Sequence, residues 1–130
     1  MLRKSWSLRA NSDMSNEPQA LEIFEDATGD IALGDIESAI AKYQECVQLD
    51  PGYFDAWHAL GMALMKAGRF GEAIDAGLKA VEINPNDQLA WSSLSIFYVK
   101  NGQVAEAEAA GAKARILSWG GKIRKDQPET

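Results

Sequence analysis

Residues 54–87 read FDAWHALGMALMKAGRFGEAIDAGLKAVEINPND and contain two successive amphipathic helix patterns. The first apolar face recurs at the i, i+3, i+4, i+7 spacing of a helix, at Trp57, Leu60, Gly61 and Leu64. The second apolar face comprises Phe70, Ala73, Ile74, Leu78 and Val81. Gly68 separates the two patterns, because glycine adopts the left-handed conformation of a helix cap at little cost. The stretch therefore predicts a helix–turn–helix unit.

The same plan recurs along the chain with a period of 34 residues. The turn glycines Gly34, Gly68 and Gly102 lie 34 residues apart, and Trp57 and Trp91 keep the same spacing. Helices are therefore predicted over residues 17–33, 36–49, 54–67, 70–83, 88–101 and 104–118. One helix pair cannot bury its apolar faces alone, so the pairs must stack. We expect an all-α solenoid of three antiparallel helix pairs, with no strand.

Side-chain size indicates how the helices pack. Gly61, Ala73 and Ala80 are small, so they allow two helices to approach closely. A tryptophan beside such a crossing is expected to fill the wider gap. Trp57 and Trp91 are therefore each predicted to be well buried and to anchor one helix pair, and loss of a well-buried tryptophan costs about 3–5 kcal/mol.

The chain resembles the tetratricopeptide repeat family, a 34-residue helix–turn–helix with Trp, Leu-Gly, Tyr, Gly, Ala, Phe, Ala and Pro at set positions. The matching residues of the middle unit are Trp57, Leu60, Gly61, Gly68, Ala73, Ala80 and Pro85. Leu64 stands where the family has tyrosine, and Gly77 and Gly111 stand where it has phenylalanine. The resemblance implies a right-handed superhelix whose concave surface binds peptide segments.

The resemblance also divides the chain. It places a repeat domain over residues 15–119, with repeats at about 20–53, 54–87 and 88–121. A flexible basic extension, residues 1–14, is expected before this domain, and a basic tail, residues 120–130, after it. Met14 precedes a sequence typical of a helix start, so translation could begin there.

Charge is unevenly distributed along the chain, whose net charge is −6. Residues 14–112 hold 16 acidic and 5 basic residues, and the two ends together hold 8 basic and 3 acidic residues. An acidic body repels phosphates, so nucleic acid is not expected as a partner. No run approaches the roughly 20 apolar residues of a membrane helix, and no signal-peptide pattern follows the first residues. We expect a cytoplasmic protein that does not insert into membranes.

Residues with catalytic potential are isolated in this sequence. His58 is the single histidine, and no nucleophile or carboxylate is placed beside it as in a catalytic triad. It is expected on the plain surface or in the groove. Cys46 stands where later repeats have Ala80 and Ala114, so it is expected to be a buried small hydrophobe. The acidic run that shares one helix face is interpreted as solvated, or else as a contact for a basic partner: Glu22, Glu25, Asp26 and Asp30. No catalytic residue, metal site or cofactor is predicted, and the protein is not expected to be an enzyme.

The resemblance implies a groove formed by the first helix of each pair. The candidate groove residues are Phe24, His58, Met62, Met65, Lys66, Ile96, Val99 and Lys100. Methionines adapt to irregular apolar partners, which favours an apolar or amphipathic helix as the ligand. The alternative is that some of these residues only pack against their neighbours. Chaperone-binding relatives clamp a C-terminal carboxylate with polar side chains, and the residues at the corresponding positions here are unsuited to that role: Phe24, Thr28, Ala59, Leu89 and Ser93.

The predicted function is protein–protein interaction, as an adaptor, scaffold or assembly factor. The alternative is a structural or self-associating subunit that does not use the groove. A second contact is predicted at the C-terminal edge, where an apolar patch is rimmed by basic residues: Arg115, Ile116, Trp119 and Ile123. This edge is expected to bind a partner or a second copy, with help from the basic Lys122, Arg124 and Lys125. The alternative is a tail that folds back over the last helix.

Overall fold

The computed structural model describes the backbone of residues 8–123 and the side chains of residues 18–123. All regular elements in this range are α-helices, as the periodicity predicts. The helices are α1 (Leu8–Ala32), α2 (Ile36–Leu49), α3 (Phe54–Lys66), α4 (Phe70–Ile83), α5 (Gln88–Lys100) and α6 (Val104–Ser118). Helices α2 to α6 agree with the predicted bounds to within one residue. Each helix packs on the next in chain order, which is the arrangement of a solenoid.

Helix α1 begins earlier than predicted, at Leu8 instead of residue 17, and Pro18 lies inside it. Proline lacks a backbone donor and is expected to weaken a helix interior, but here the helix continues on both sides of it. Residues 8–14, which the sequence assigned to a flexible extension, are therefore helical. The remainder of that extension, residues 1–7, and the tail residues 124–130 lie outside the described residues. The domain boundary at residue 15 stays a prediction.

The turn inside each helix pair is closed by a glycine with positive φ, as predicted. The φ values of Gly34, Gly68 and Gly102 are 83°, 79° and 79°, a region that side chains with a Cβ rarely adopt. In the middle pair the amide of Gly68 donates to the carbonyl of Met65 over 2.9 Å, and the amide of Arg69 donates to the carbonyl of Leu64 over 2.9 Å. These bonds satisfy the last carbonyls of the helix and reverse the chain, so that the two helices run antiparallel.

The two tryptophans are half-buried, so the prediction that they are well buried was wrong. The indole Nε1 of Trp57 donates to the carbonyl of Pro51 over 2.7 Å, and that of Trp91 donates to the carbonyl of Pro85 over 2.7 Å. An indole N–H needs a partner, and the loop carbonyl that supplies one lies at the edge of the core. Each tryptophan therefore ties the first helix of its pair to the loop that precedes it.

Phe97 of α5 fills the central space between the second and third pairs, where it is 0% exposed. A Cβ added to Gly61 would lie 2.8 Å from Cε2 of Phe97, and one added to Gly77 would lie 3.2 Å from its Cδ2. The ring therefore rests directly on the backbones of α3 and α4. Phenylalanine from the following repeat, and not tryptophan, fills the gap that the small residues leave.

Gly61→Ala should destabilise the protein, even though alanine is the better helix former. Helix propensity favours alanine by about 1 kcal/mol. The new Cβ would meet the buried ring of Phe97 at 2.8 Å, and such overpacking costs about 1–3 kcal/mol. We expect a net loss of about 1 kcal/mol in the free energy of unfolding, measured by urea denaturation.

Gly71→Ala on α4 is the matched control, because a Cβ at that position meets no atom within 4 Å. It should leave the free energy of unfolding unchanged or raise it by up to about 1 kcal/mol. Adding Phe97→Leu to Gly61→Ala should recover part of the loss. Equal stability of the Gly61→Ala and Gly71→Ala variants would contradict the packing described.

Candidate functional site

The residues predicted to form a groove lie on the first helix of each pair, α1, α3 and α5. Helices α3 and α5 contact each other directly, which joins their residues into one surface. Met62 and Met65 are half-buried against the core, while the side chains of Ile96 and Val99 are 48% and 58% exposed. The lysines that end α3 and α5 are exposed: Lys66 and Lys100. The result is an apolar strip with a positive charge at one end of each helix.

His58 is not a free surface residue. Its Nε2 lies 3.0 Å from the hydroxyl oxygen of Ser93, and its ring stacks on that of Phe54 with the centroids 6.1 Å apart. The hydroxyl of Ser93 belongs to a buried residue, and this bond satisfies it. His58 therefore links α3 to α5 and helps to hold the strip together, while its ring stays partly accessible.

Phe24 lies on α1 and faces other aromatic rings. Its centroid lies 5.6 Å from that of Tyr43 and 5.3 Å from that of Tyr53. The hydroxyl of Thr28 donates to the carbonyl of Phe24 and lies 2.9 Å from the hydroxyl of Tyr43. Most contacts of Phe24 are therefore with neighbouring side chains, which is the alternative to a role in the groove.

The acidic run on α1 does not act as one group. Glu22, Glu25 and Asp26 are exposed. Asp30 instead accepts a hydrogen bond from the hydroxyl of Ser38 over 2.8 Å and pairs with the ammonium of Lys42 over 2.9 Å. The hydrogen bond from Lys42 and then that from Ser38 hold the pKa of Asp30 below its ordinary value. Asp30 thus fastens α1 to α2 and does not share the solvated face.

Cys46 is fully buried at the crossing of α1 and α2, as predicted. Its thiol donates to the carbonyl of Ala20, with Sγ 3.3 Å from the oxygen. Burial, with a smaller contribution from the charge of Glu45, raises the pKa of the thiol to about 11. The thiolate, which is the nucleophile, is therefore scarce at neutral pH.

The residues predicted to form the C-terminal edge do not all lie together in one exposed patch. The amide of Ile123 donates to Oδ1 of Asn86 over 2.8 Å, and a Cβ on Gly121 would lie 2.7 Å from Cγ2 of Ile116. The described part of the tail therefore folds back against the end of α6 and the α4–α5 loop. The ring of Trp119 remains 78% exposed.

Sequence reasoning missed a hollow between α5 and α6. Ser95, Gly111 and Arg115 line two adjoining depressions with volumes of about 320 and 600 Å³. Arg115 was predicted only as part of the C-terminal edge. The 34-residue register could have revealed the hollow. In this register Ser95 and Gly111 occupy, one repeat later, the positions of the core glycines Gly61 and Gly77.

No group of three or more His, Cys, Asp or Glu side chains between residues 18 and 123 could hold a metal ion. No helix within residues 8–123 combines the length and apolar character needed to cross a membrane.

Comparison with sequence families agrees with the repeat register. Two family models described as tetratricopeptide repeat match the chain, one over residues 24–88 and one over residues 76–109. The first spans half of the chain. No curated protein matches the sequence.

Comparison with solved structures finds the same fold. A crystal structure of MamA is 25% identical with a TM-score of 0.74, and the match covers 78% of this chain and 59% of that one. The second TPR of Spaghetti (RPAP3), bound to HSP90 peptide SRMEEVD, is 20% identical with a TM-score of 0.75, covering 79% and 95%. A chain of the CopN–Scc3 complex is 17% identical with a TM-score of 0.74, covering 84% and 61%. This chain thus spans about three fifths of the MamA chain and nearly all of the Spaghetti domain.

The folded protein should protect Cys46 from thiol reagents. Because burial raises the thiol pKa to about 11, the thiolate fraction at pH 8 is small and grows only as pH rises toward that value. We expect reaction with dithionitrobenzoate at pH 8 to be at least about 100-fold slower in the native protein than in guanidinium.

A second thiol supplies the control for this measurement. Ser118→Cys, made on a Cys46→Ala background, places a thiol at an exposed position. Alanine is a suitable replacement for Cys46, because the equivalent positions of the later repeats are Ala80 and Ala114. This thiol should react almost as fast in the folded as in the unfolded protein. Rapid native-state labelling of Cys46 would show that α1 does not cover it as described.

Proposed function

Because this chain belongs to the tetratricopeptide repeat family, a protein-interaction fold, we propose that its partner is held in the groove formed by α1, α3 and α5. In this proposal the protein serves as an adaptor, scaffold or assembly factor. The ligand is an apolar or amphipathic peptide segment. Binding would involve contact alone, with no catalytic step and no cofactor, and cytoplasm is the proposed location.

The observation that carries the proposal is the exposed apolar strip. Ile96 and Val99 are about half exposed beside the half-buried Met62 and Met65, on helices that contact each other. A helical ligand presents apolar side chains at i, i+3, i+4 and i+7, which suits a strip running across successive helices. Flexible methionines can adjust to the shape of such a ligand. The lysines at the ends of α3 and α5 favour a ligand with acidic flanks.

The described geometry argues against a ligand held by its C-terminal carboxylate. Thr28 is engaged with the carbonyl of Phe24 and with Tyr43, and Ser93 is buried against His58. No lysine, arginine or asparagine stands at these positions to replace them. The Spaghetti domain is bound to an HSP90 peptide, and it resembles this chain in fold. That likeness supports peptide binding in general, while the residues here favour an apolar segment.

Replacing two residues of the strip, Met62→Glu together with Ile96→Glu, should abolish partner capture. Two carboxylates in the strip would have to be desolvated by an apolar ligand, at a cost that its contacts cannot offset. Both positions are at least partly exposed, so helical content measured by circular dichroism should be unchanged. The measurement is a pull-down read by mass spectrometry.

The matched control is Leu33→Glu together with Leu78→Glu. Both leucines are exposed and lie outside the strip, Leu33 in the turn just after α1 and Leu78 on α4. The control makes the same change in charge and apolar content. Proteins retained by the control but lost from the groove variant are the candidates for groove ligands. Full capture by the groove variant would rule out the groove as the binding site.

The alternative role, a self-associating or structural subunit, is favoured by one observation at the C-terminal edge. The ring of Trp119 is 78% exposed, and the exposed Ile116 lies near it on the same helix end. A large exposed aromatic beside apolar neighbours is typical of a contact site. We propose that Arg115, Ile116, Trp119 and Ile123 form a contact with a second copy or with a partner.

Removing the exposed ring with Trp119→Gln should reveal whether this edge self-associates. If the edge joins two copies, light scattering of the parent protein should give a mass above 14.2 kDa, and the variant should return to the monomer mass. Leu33→Gln is the control, since it removes an exposed apolar side chain from the opposite end of the repeat array. An unchanged mass together with unchanged partner capture in the Trp119→Gln variant would exclude a contact at this edge.

A further inference from the structure

The hollow between α5 and α6 repeats a packing site that is filled elsewhere in the protein. Between the second and third pairs, the ring of Phe97 rests on the backbones of Gly61 and Gly77. Thirty-four residues further on, the same two positions are occupied by Ser95 and Gly111. The last pair therefore keeps small residues where the preceding pair receives an aromatic ring from the next helix.

At this site the large and the small residue change places from one repeat interface to the next. Between the first and second pairs, the position of Gly77 is occupied by Tyr43 and that of Phe97 by Ala63, and both residues are buried. Between the second and third pairs, Gly77 and Phe97 reverse the order of large and small. Cores conserve total volume, so a glycine on one helix calls for a large residue on the next. Gly111 accordingly calls for an aromatic side chain.

The site at Gly111 has room for such a ring. A Cβ added there would meet only the hydroxyl oxygen of Ser95, at 3.5 Å. That hydroxyl donates to the carbonyl of Ala107 over 2.8 Å, so burying it leaves no donor unsatisfied. The smaller depression measures about 320 Å³. A cavity of about 150 Å³ is enough to hold benzene.

Two apolar residues on the rim of the hollow are more exposed than their counterparts in the preceding repeat. Val99 and Val104 line the larger depression and are exposed, whereas their counterparts Met65 and Phe70 are half-buried. On the preceding repeat, α5 packs against the equivalent face and covers it. A helix docked on the last pair in the same way would cover this rim.

The charges on α6 match the two ends of a docked helix. Arg115 stands where the preceding repeat has the buried Val81, and Glu108 stands where it has Ile74. Successive helices here run antiparallel, so Arg115 would face the first turn of the docked helix and Glu108 its last turns. Carboxylates are favoured in the first turn of a helix and cations in the last turn. Helix α5 itself has this pattern, with Asp87 at its N-cap and Lys100 in its last turn.

A second copy of the chain does not supply the required helix through α1. In the repeat register, Asp26 and Gly29 of α1 correspond to Leu94 and Phe97 of α5. Both α1 residues are exposed, and they would bring a carboxylate and a bare backbone to a hollow shaped for apolar side chains. Helix α1 of a second copy is therefore not the occupant, and a helix of a different protein is the occupant that these residues favour.

We propose that this hollow is a docking site for an amphipathic helix of a partner protein, which inserts one aromatic side chain between Ser95 and Gly111 as Phe97 does one repeat earlier. The docked helix carries a carboxylate in its first turn, opposite Arg115, and a cation near its end, opposite Glu108. The hollow shares Ile96 and Val99 with the groove strip, whereas Met62 and Met65 do not line it, so a ligand can occupy the hollow without contact with the methionines.

A synthetic copy of α5 is the probe for this site. The peptide comprises residues 86–101, carries a fluorophore, and is held helical by a side-chain crosslink between positions 92 and 96, because a free helix of this length is marginal in water. We expect it to bind the full chain in fluorescence anisotropy. The same peptide with Phe97→Ala should bind at least about tenfold more weakly.

Filling the hollow from the protein side should have the same effect. Gly111→Leu occupies the space above the backbone and should weaken peptide binding at least about tenfold. It should not lower thermal stability, since the one atom that a Cβ there would meet, Oγ of Ser95, lies at an ordinary contact distance of 3.5 Å. Gly71→Leu is the matched control on α4, where a Cβ meets no atom within 4 Å, and it should bind as the parent does. Arg115→Glu should weaken binding, and a peptide with Asp87→Lys should restore it.

Each result decides for or against the site. Absence of peptide binding to the parent chain, or equal binding by the Gly111→Leu variant, would overturn the proposal. So would a dimer in light scattering that dissociates on Gly111→Leu, because the hollow would then belong to a second copy. Met62→Glu should leave peptide binding unchanged, which separates failure of this site from failure of the groove.

Discussion

The packing of Phe97 on the backbones of Gly61 and Gly77 is the contact on which the rest of the structure depends. The ring is fully buried and meets both helices of the middle pair, so it sets the distance between the second and third pairs. At that distance the hydroxyl of Ser93 reaches His58 of α3. The surface formed by α3 and α5, which carries the groove residues, is therefore a consequence of a close approach that only glycine permits.

The same rule of volume exchange explains why the two ends of the repeat array differ. The positions of α1 that correspond to Ala56, Ala59 and Leu60 of α3 carry exposed carboxylates, which need no apolar neighbour: Glu22, Glu25 and Asp26. At the other end, Gly111 and Ser95 keep the shape of an interior interface. The first end thus exposes charged side chains, and the other end presents an open hollow. The functional proposals follow from this asymmetry and from the exposed strip on α3 and α5.

Much of the fold could be predicted because its determinants are local. The bounds of α2 to α6, the positive-φ glycines and the buried position of Cys46 follow from periodicity and from register. The start of α1 was missed because Pro18 suggests a helix beginning, whereas the helix runs through it. Met62 and Met65 lie on α3 and Ile96 and Val99 on α5, the first helices of their pairs, as the repeat register requires, but the contacts of His58 and Phe24 were not predicted. Those contacts join residues that are far apart in the sequence, so the pattern within one helix does not predict them.

By itself the sequence determined the number of helix pairs, the position of each turn and most of the inward-facing residues of each helix. Those properties depend on spacing within one helix and on the conformational freedom of one glycine. Leu78, which the pattern placed on the apolar face of α4, is instead 43% exposed. Only the tertiary structure decided which side chain fills the space between pairs. It also decided which glycine, Gly111, is left with that space open. The reason is that close packing conserves volume across an interface, so the side chain at one position depends on a partner 20 or more residues away, as Phe97 depends on Gly77.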